Sequence, residues 1–189
     1  MDFRLTFDGC LMSTGSSSKP DHVHKVRRRF HPQLRHFWSV SPEMNISPEV
    51  RELEKRRADA FRRGNYRFVP LVTREDRFLC VVEIMLLRPA PASSAVYQKG
   101  DLDGQIATLF GSLAVPRHLE QLKGNETPLN GEDPFYCLLE DDSLISGITV
   151  ETGVLLEETR DGIADNAARA VIRVRVNWPP KDLGYSRWA

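Results

Sequence analysis

The run Arg77-Phe-Leu-Cys-Val-Val-Glu-Ile-Met-Leu-Leu-Arg88 constrains the fold more than any other part of the chain. It is almost continuously apolar, rich in β-branched residues and too short to cross a bilayer, so it reads as a central strand buried on both faces. Such a strand needs partners, and the sequence offers several. Residues 3–12 alternate, 66–72 are Val- and Phe-rich, and three further candidates follow in FYCLLEDD, ISGITVETGVLLE and ARAVIRVRVNW. The last shows period-2 alternation through Val171, Arg173, Val174, Arg175 and Val176. Only the polar segment Thr73-Arg-Glu-Asp76 separates 66–72 from 77–88, which predicts a hairpin or two adjacent strands.

Two helices stand out. Ser47 before Pro48, with Glu49 and Glu52 behind it, supplies a hydroxyl cap, a proline at the first helical position and carboxylates near the positive end of the dipole. That helix is expected to run to about Arg63 and stop at Gly64-Asn65. Leu102, Ile106, Leu109, Phe110 and Leu113 recur at helical spacing before Pro116 ends the second. Residues 13–46 read as a basic and aromatic loop region, and 117–135, punctuated by Gly124, Pro128, Gly131 and Pro134, as a long loop. With no repeat and no boundary, the expectation is a single α+β domain over 1–189, a mixed β-sheet packed by two main helices.

Composition narrows the function classes. The chain has 189 residues, 41% of them apolar, with 26 Lys+Arg against 26 Asp+Glu, which excludes disordered, collagenous and membrane-spanning classes. No window approaches 18 uninterrupted apolar residues, and MDFRLTFDG lacks the basic-then-apolar pattern of a secretion signal, so a cytosolic protein with no membrane partner is expected. Cys10, Cys80 and Cys137 are too few and too far apart for a disulfide framework or a zinc knuckle, and read as reduced thiols in or near strands. His22 and His24 have metal-ligand spacing but no third ligand nearby.

The zero net charge hides a split. Residues 1–90 carry 17 Lys+Arg and 11 Asp+Glu, a balance of +6, and the remainder carries the opposite. A cationic half suits a polyanion. Lys25, Arg27, Arg28 and Arg29, with Phe30, Phe37 and Trp38 interleaved downstream, have the composition of a phosphate-gripping, base-stacking surface. The competing reading is a loop or partly helical segment whose aromatics pack on the core. Lys55, Arg56, Arg57, Arg62 and Arg63 on the first helix form either a solvated face or a DNA footprint.

Acidic residues give the sharper signal. Asp101 and Asp103 flank Leu102 at a loop-to-helix junction, so both carboxylates are expected on one side while Leu102 points inward. Asp141 and Asp142 follow the apolar run 135–139 at a strand end. If the two segments meet, four carboxylates converge, and such a cluster needs a cation. Oxygen ligands of this kind suit Mg²⁺ or Mn²⁺. Taken alone, each pair is equally a helix cap or a turn.

The segments Gly100-Asp-Leu-Asp-Gly-Gln-Ile-Ala-Thr-Leu-Phe110 and Asp133-Pro-Phe-Tyr-Cys-Leu-Leu-Glu-Asp-Asp142 together resemble the RusA-type Holliday junction resolvases. The likeness covers roughly residues 66–177. It implies a RusA-like fold and a homodimeric, magnesium-dependent endonuclease that resolves four-way DNA junctions in recombination and repair. Asp101, Asp103 and Asp142 would be catalytic metal ligands with Asp141 in support. Lys25, Arg27, Arg28, Arg29 and Lys99 would hold branched DNA. The family pattern Asp-x-Asp-Asn-x-x-Lys is broken here, by Gly104 in place of the asparagine and Ala107 in place of the lysine. Losing a cation aimed at developing charge commonly costs a hundredfold or more in rate, on the order of 3 kcal/mol. The alternative implied is a catalytically impaired homologue that binds branched DNA without cutting it.

Overall fold

A computed structural model describes residues 1–13, 19–42, 44, 48–89, 102–156 and 166–177. In chain order its elements are β1 (Asp2–Cys10), α1 (Lys19–Val40), α2 (Pro48–Ala60), β2 (Arg62–Arg63), β3 (Tyr66–Val72), β4 (Leu79–Pro89), α3 (Leu102–Leu113), β5 (Phe135–Leu139), β6 (Ile145–Leu155) and β7 (Ala167–Asn177).

Four strands form one sheet in the order β1-β7-β4-β6, with β4 antiparallel to β7 and parallel to β6. The register lines up Leu5, Ile172, Ile84 and Val150 across it, and the first three of these are fully buried beneath the helices. β4 is therefore interior, as its apolar run requires, but the described helices cover only one of its faces. Glu83 and Met85 point the other way, where Arg173 ion-pairs with both Asp2 and Glu83, and Arg175 also reaches Glu83. Cross-strand ion pairs on the open face replace the second layer expected from the unbroken hydrophobicity.

The remaining strands make a second sheet, β2-β3-β5, in place of one continuous mixed sheet. β3 and β4 do not pair, so the expected hairpin is absent. The chain changes sheets at Thr73–Phe78, where Asp76 accepts from Thr73 N and Oγ1 and from the buried Arg57, which also donates to Pro70 O and Leu71 O. α2 ends at Ala60, short of Arg63, because Arg62 and Arg63 pair with Arg67 and Tyr66 around Gly64, whose φ of 59° suits glycine in a tight turn.

A third helix is the main departure from expectation. Residues 19–40, within the span read as loop, form α1, whose Val26, Phe30, Leu34 and Trp38 recur every four residues and are all buried. Pro32, inside the helix, sits on its exposed side, away from that stripe. α1 lies against β1, α3 and β5, joining the two sheets. Residues 117–135 carry only the short 3₁₀ turn Leu119–Leu122, and the segment is tied to α1 by Arg28, which bonds Glu132 and Asn125. Among the described residues no helix is long and apolar enough to cross a membrane.

Three histidines of α1 are buried and bonded as neutral rings. His22 Nε2 accepts from Met12 N at 3.0 Å. His31 Nδ1 accepts from Tyr136 N while its Nε2 donates to Gly131 O, which fixes the tautomer. His24, fully buried, sits between Arg27 and Tyr66. Burial lowers all three pKa values, that of His24 to about 3 with Arg27 as a further cause. Each ring takes a proton more readily unfolded than folded, so stability is full above the unfolded value near 6.5 and falls as pH drops below it. Denaturant unfolding at pH 5 is expected to show a loss of about 2 kcal/mol from His24 alone relative to pH 7.5. A His24→Gln variant should flatten that slope.

Candidate functional site

The acidic end of β5 is assembled by three local facts. β3 and β5 run parallel with Val72 opposite Leu139, and Glu140 N donates to Val72 O, fixing the strand to its last residue. Val115 N donates to Leu139 O just past α3, which brings Arg117 alongside Asp141. Asp141 then caps the 3₁₀ turn Asp142–Leu144, its Oδ1 accepting from Ser143 N.

Arg117 spans both acids. Its Nε donates to Asp141 Oδ2 at 2.7 Å, and one terminal nitrogen donates to Asp141 Oδ1 at 3.0 Å and to Asp142 Oδ1 at 2.7 Å. Arg74 adds a second cation, 3.4 Å from Glu140 and 3.9 Å from Asp141. Burial works against ionisation of Asp141, but the bonds from Ser143 and Arg117 outweigh it and hold the carboxyl down at about 2. A paired carboxylate cluster of this kind needs a cation, and here the protein supplies it from its own side chains.

Asp103 lies elsewhere. It is exposed in the first turn of α3, and Ala107, one turn on, is exposed on the same side. The start of α3 is anchored over the end of β1 by Gln105 Nε2 to Leu11 O and Thr108 Oγ1 to Met12 O, both at 2.9 Å. Its other end meets β5 through the Ala114–Leu139 bridge. About 16 Å of helix separates Asp103 from Ala114. The sheet gives the same answer: Leu11 lies past the end of β1 where β4 finishes, whereas Asp142 leads into Ile145, opposite Cys80 where β4 begins. Within one chain Asp103 and the Asp141–Asp142 pair therefore sit toward opposite ends of α3. Asp101 and Lys99 lie outside the described residues.

The expected basic cluster is divided as well. Lys25 is exposed and pairs with Asp21 at 2.8 Å, and Arg29 is exposed. Arg28 is spent on Glu132, Asn125 and Tyr66. Arg27 is buried, with Nε on Ala114 O, one terminal nitrogen on Gly111 O and the other near His24 Nδ1, and burial pulls its pKa down to about 10. It caps the negative end of α3 and is closed to a phosphate.

The described residues do not fit a Mg²⁺ or Mn²⁺ centre. Both oxygens of Asp141 are engaged, Asp142 shares the same guanidinium, Asp103 is out of reach, and no group of three or more His, Cys, Asp or Glu among the described residues is placed to hold an ion. Arg117 and Arg74 escaped the sequence reading because nothing in their local spacing ties them to acids 24 and 66 or more positions later. No protein-family profile, curated protein or solved structure matches the chain.

Replacing Arg117 with Ala removes three bonds to the acids and leaves the buried Asp141 with Ser143 as its main support. A loss of about 1 kcal/mol at pH 7 is expected. Asp141 has a lowered pKa, so its contribution is present above the unfolded value and lost as pH falls through about 2. In Arg117→Ala the folded value moves up toward the unfolded one, so that acid limb should shrink and end at higher pH, which unfolding curves between pH 2 and 5 would reveal.

Proposed function

We propose that this chain is a RusA-like module that binds branched DNA, as a homodimer, without cutting it. The observation that carries the reading is the Arg117 fork on Asp141 and Asp142, which occupies with an internal cation the acids that the resemblance assigns to a metal. Ala107 in place of the family lysine points the same way, since it presents a methyl group on the exposed side of α3. An ion shared by Asp103 and Asp142 would have to lie between two copies, with Arg117 swung aside.

DNA contact falls to the exposed basic side of α1 and α2. Arg51, Lys55, Arg56 and Arg62 line the solvent side of α2 and its exit, and Arg29 and Arg35 are exposed on α1. Arg62 is partly engaged by Asp59 at 3.1 Å, and Glu52 and Asp59 dilute the ridge, so affinity is expected to be modest and strongly salt-dependent.

In a gel-shift assay with EDTA, the protein should retard a four-way junction in preference to linear duplex of the same sequence. Lys55→Ala with Arg56→Ala should lower the slope of log affinity against log salt by about 2 and leave Tm unchanged. Arg117→Ala should gain a Mn²⁺-dependent rise in Tm that the native chain lacks. Mg²⁺-dependent nicking of the junction by the native protein would overturn the non-catalytic reading, and absence of any junction retardation at low salt would overturn DNA binding itself.

A further inference from the structure

Residues of α1, α2 and β5 surround a cavity of about 210 Å³, among them Arg35, Trp38, Val50, Arg51, Glu54 and Tyr136, with Met44 beside them. Its walls are of three kinds. Trp38, Met44, Val50 and Tyr136 are buried and give an aromatic and apolar interior. Arg35 and Arg51 are exposed at the rim, with one Arg35 nitrogen donating to Gly131 O at 3.3 Å. Glu54 accepts from the Tyr136 hydroxyl and presents a carboxylate.

One group in this lining is not satisfied by the described residues. Trp38 is 5% exposed, and its indole Nε1–H has no hydrogen-bond partner among the described residues. Buried indole N–H groups almost always find an acceptor, because an unpaired buried donor has lost its hydrogen bond to water with nothing in exchange. Trp38 is held in place by Arg57, whose guanidinium carbon lies 5.8 Å from the ring centroid, and by Tyr136 at 6.0 Å between ring centroids. An acceptor supplied by a ligand would complete the site.

We propose that this cavity binds a nucleoside monophosphate, taking its base inside and its phosphate at the rim. A bare anion would answer the two arginines but not the aromatic interior. A purely apolar ligand would fill the interior and leave the indole N–H unpaired. A nucleobase meets each requirement: an aromatic ring to pack against the tilted Trp38–Tyr136 pair, an acceptor for Nε1–H, and an exocyclic amine or ring N–H for Glu54. The volume is below the roughly 300 Å³ of pockets that enclose drug-sized ligands, so one ring system enters and the phosphate remains outside within reach of Arg35 and Arg51. This site shares Arg35 and Arg51 with the basic surface proposed for the junction, but it asks for a single unpaired nucleotide whether or not the protein holds a four-way junction.

The chain has three tryptophans, so ¹H–¹⁵N spectra carry a small, separable set of indole signals, and the one lost in Trp38→Phe identifies the reporter. Titration with adenosine or guanosine 5′-monophosphate is expected to move that signal saturably. Inorganic phosphate alone and the nucleosides alone should bind at least about tenfold more weakly, and Arg51→Ala should weaken nucleotide binding by about tenfold. A Trp38 signal unmoved by every nucleotide overturns the proposal. So does inorganic phosphate binding as tightly as the nucleotides, or Arg51→Ala binding as tightly as the native chain. Gel shifts with a four-way junction, run in parallel on Trp38→Phe, report DNA binding separately from the pocket.

Discussion

Arg27 is a buried cation with no carboxylate partner among the described residues, and its bonds join α1 to the end of α3. Its charge is offset by the two carbonyls it takes at the end of α3, Gly111 O and Ala114 O, where the helix dipole is negative. Those bonds lock α1 to α3 at one point. From there the chain runs through Val115, whose N–H holds Leu139 O, so the position of β5 follows from the position of the helix end. Two residues later Arg117 reaches the acids that β5 delivers. A single desolvated guanidinium thus sets the geometry of the acidic site some distance away. Its truncation would leave two buried carbonyls and His24 Nδ1 without their donor.

The acidic site illustrates how one charge pattern admits two cations. Four aspartates in two pairs suggest a divalent ion when they are imagined together. The fold sets Asp103 and the Asp141–Asp142 pair toward opposite ends of α3 and gives that pair an arginine that bonds both members at once. A guanidinium fork has the planar, directional geometry that matches carboxylates, and it binds without the dehydration that a small divalent ion requires. The same physics that would have assembled a metal centre, mutual repulsion of ionised acids, is relieved here by a side chain from the segment just after the helix.

How much was legible varies by element. The strand candidates at 3–12, 66–72, 77–88 and 168–178 correspond to β1, β3, β4 and β7, because alternation and β-branched content are local signals. α3 was legible from Leu102, Ile106, Leu109 and Leu113. α1 was not, although Val26, Phe30, Leu34 and Trp38 repeat every four residues, because the cations between them and Pro32 gave the stretch the look of a solvated surface. The partition into two sheets was illegible for another reason: whether β3 pairs with β4 is decided by Arg57 and Asp76 at the turn, a contact between residues 19 positions apart. Of the candidate site, the acids were visible as motifs and their neutralising arginines were not.

The sequence by itself determined the α+β class, most strand positions, two of the three helices among the described residues and the chemistry available at Asp103, Asp141 and Asp142. Periodicity and composition carry that information because each depends on residues within one or two turns of one another. Only the tertiary structure decided which charges meet. Arg117 rather than Asp103 faces Asp141, Arg27 faces α3 rather than solvent, and Trp38, Tyr136 and Arg51 line one pocket. Those encounters join residues tens of positions apart, and electrostatic energy falls off with distance through space, which sequence order does not measure.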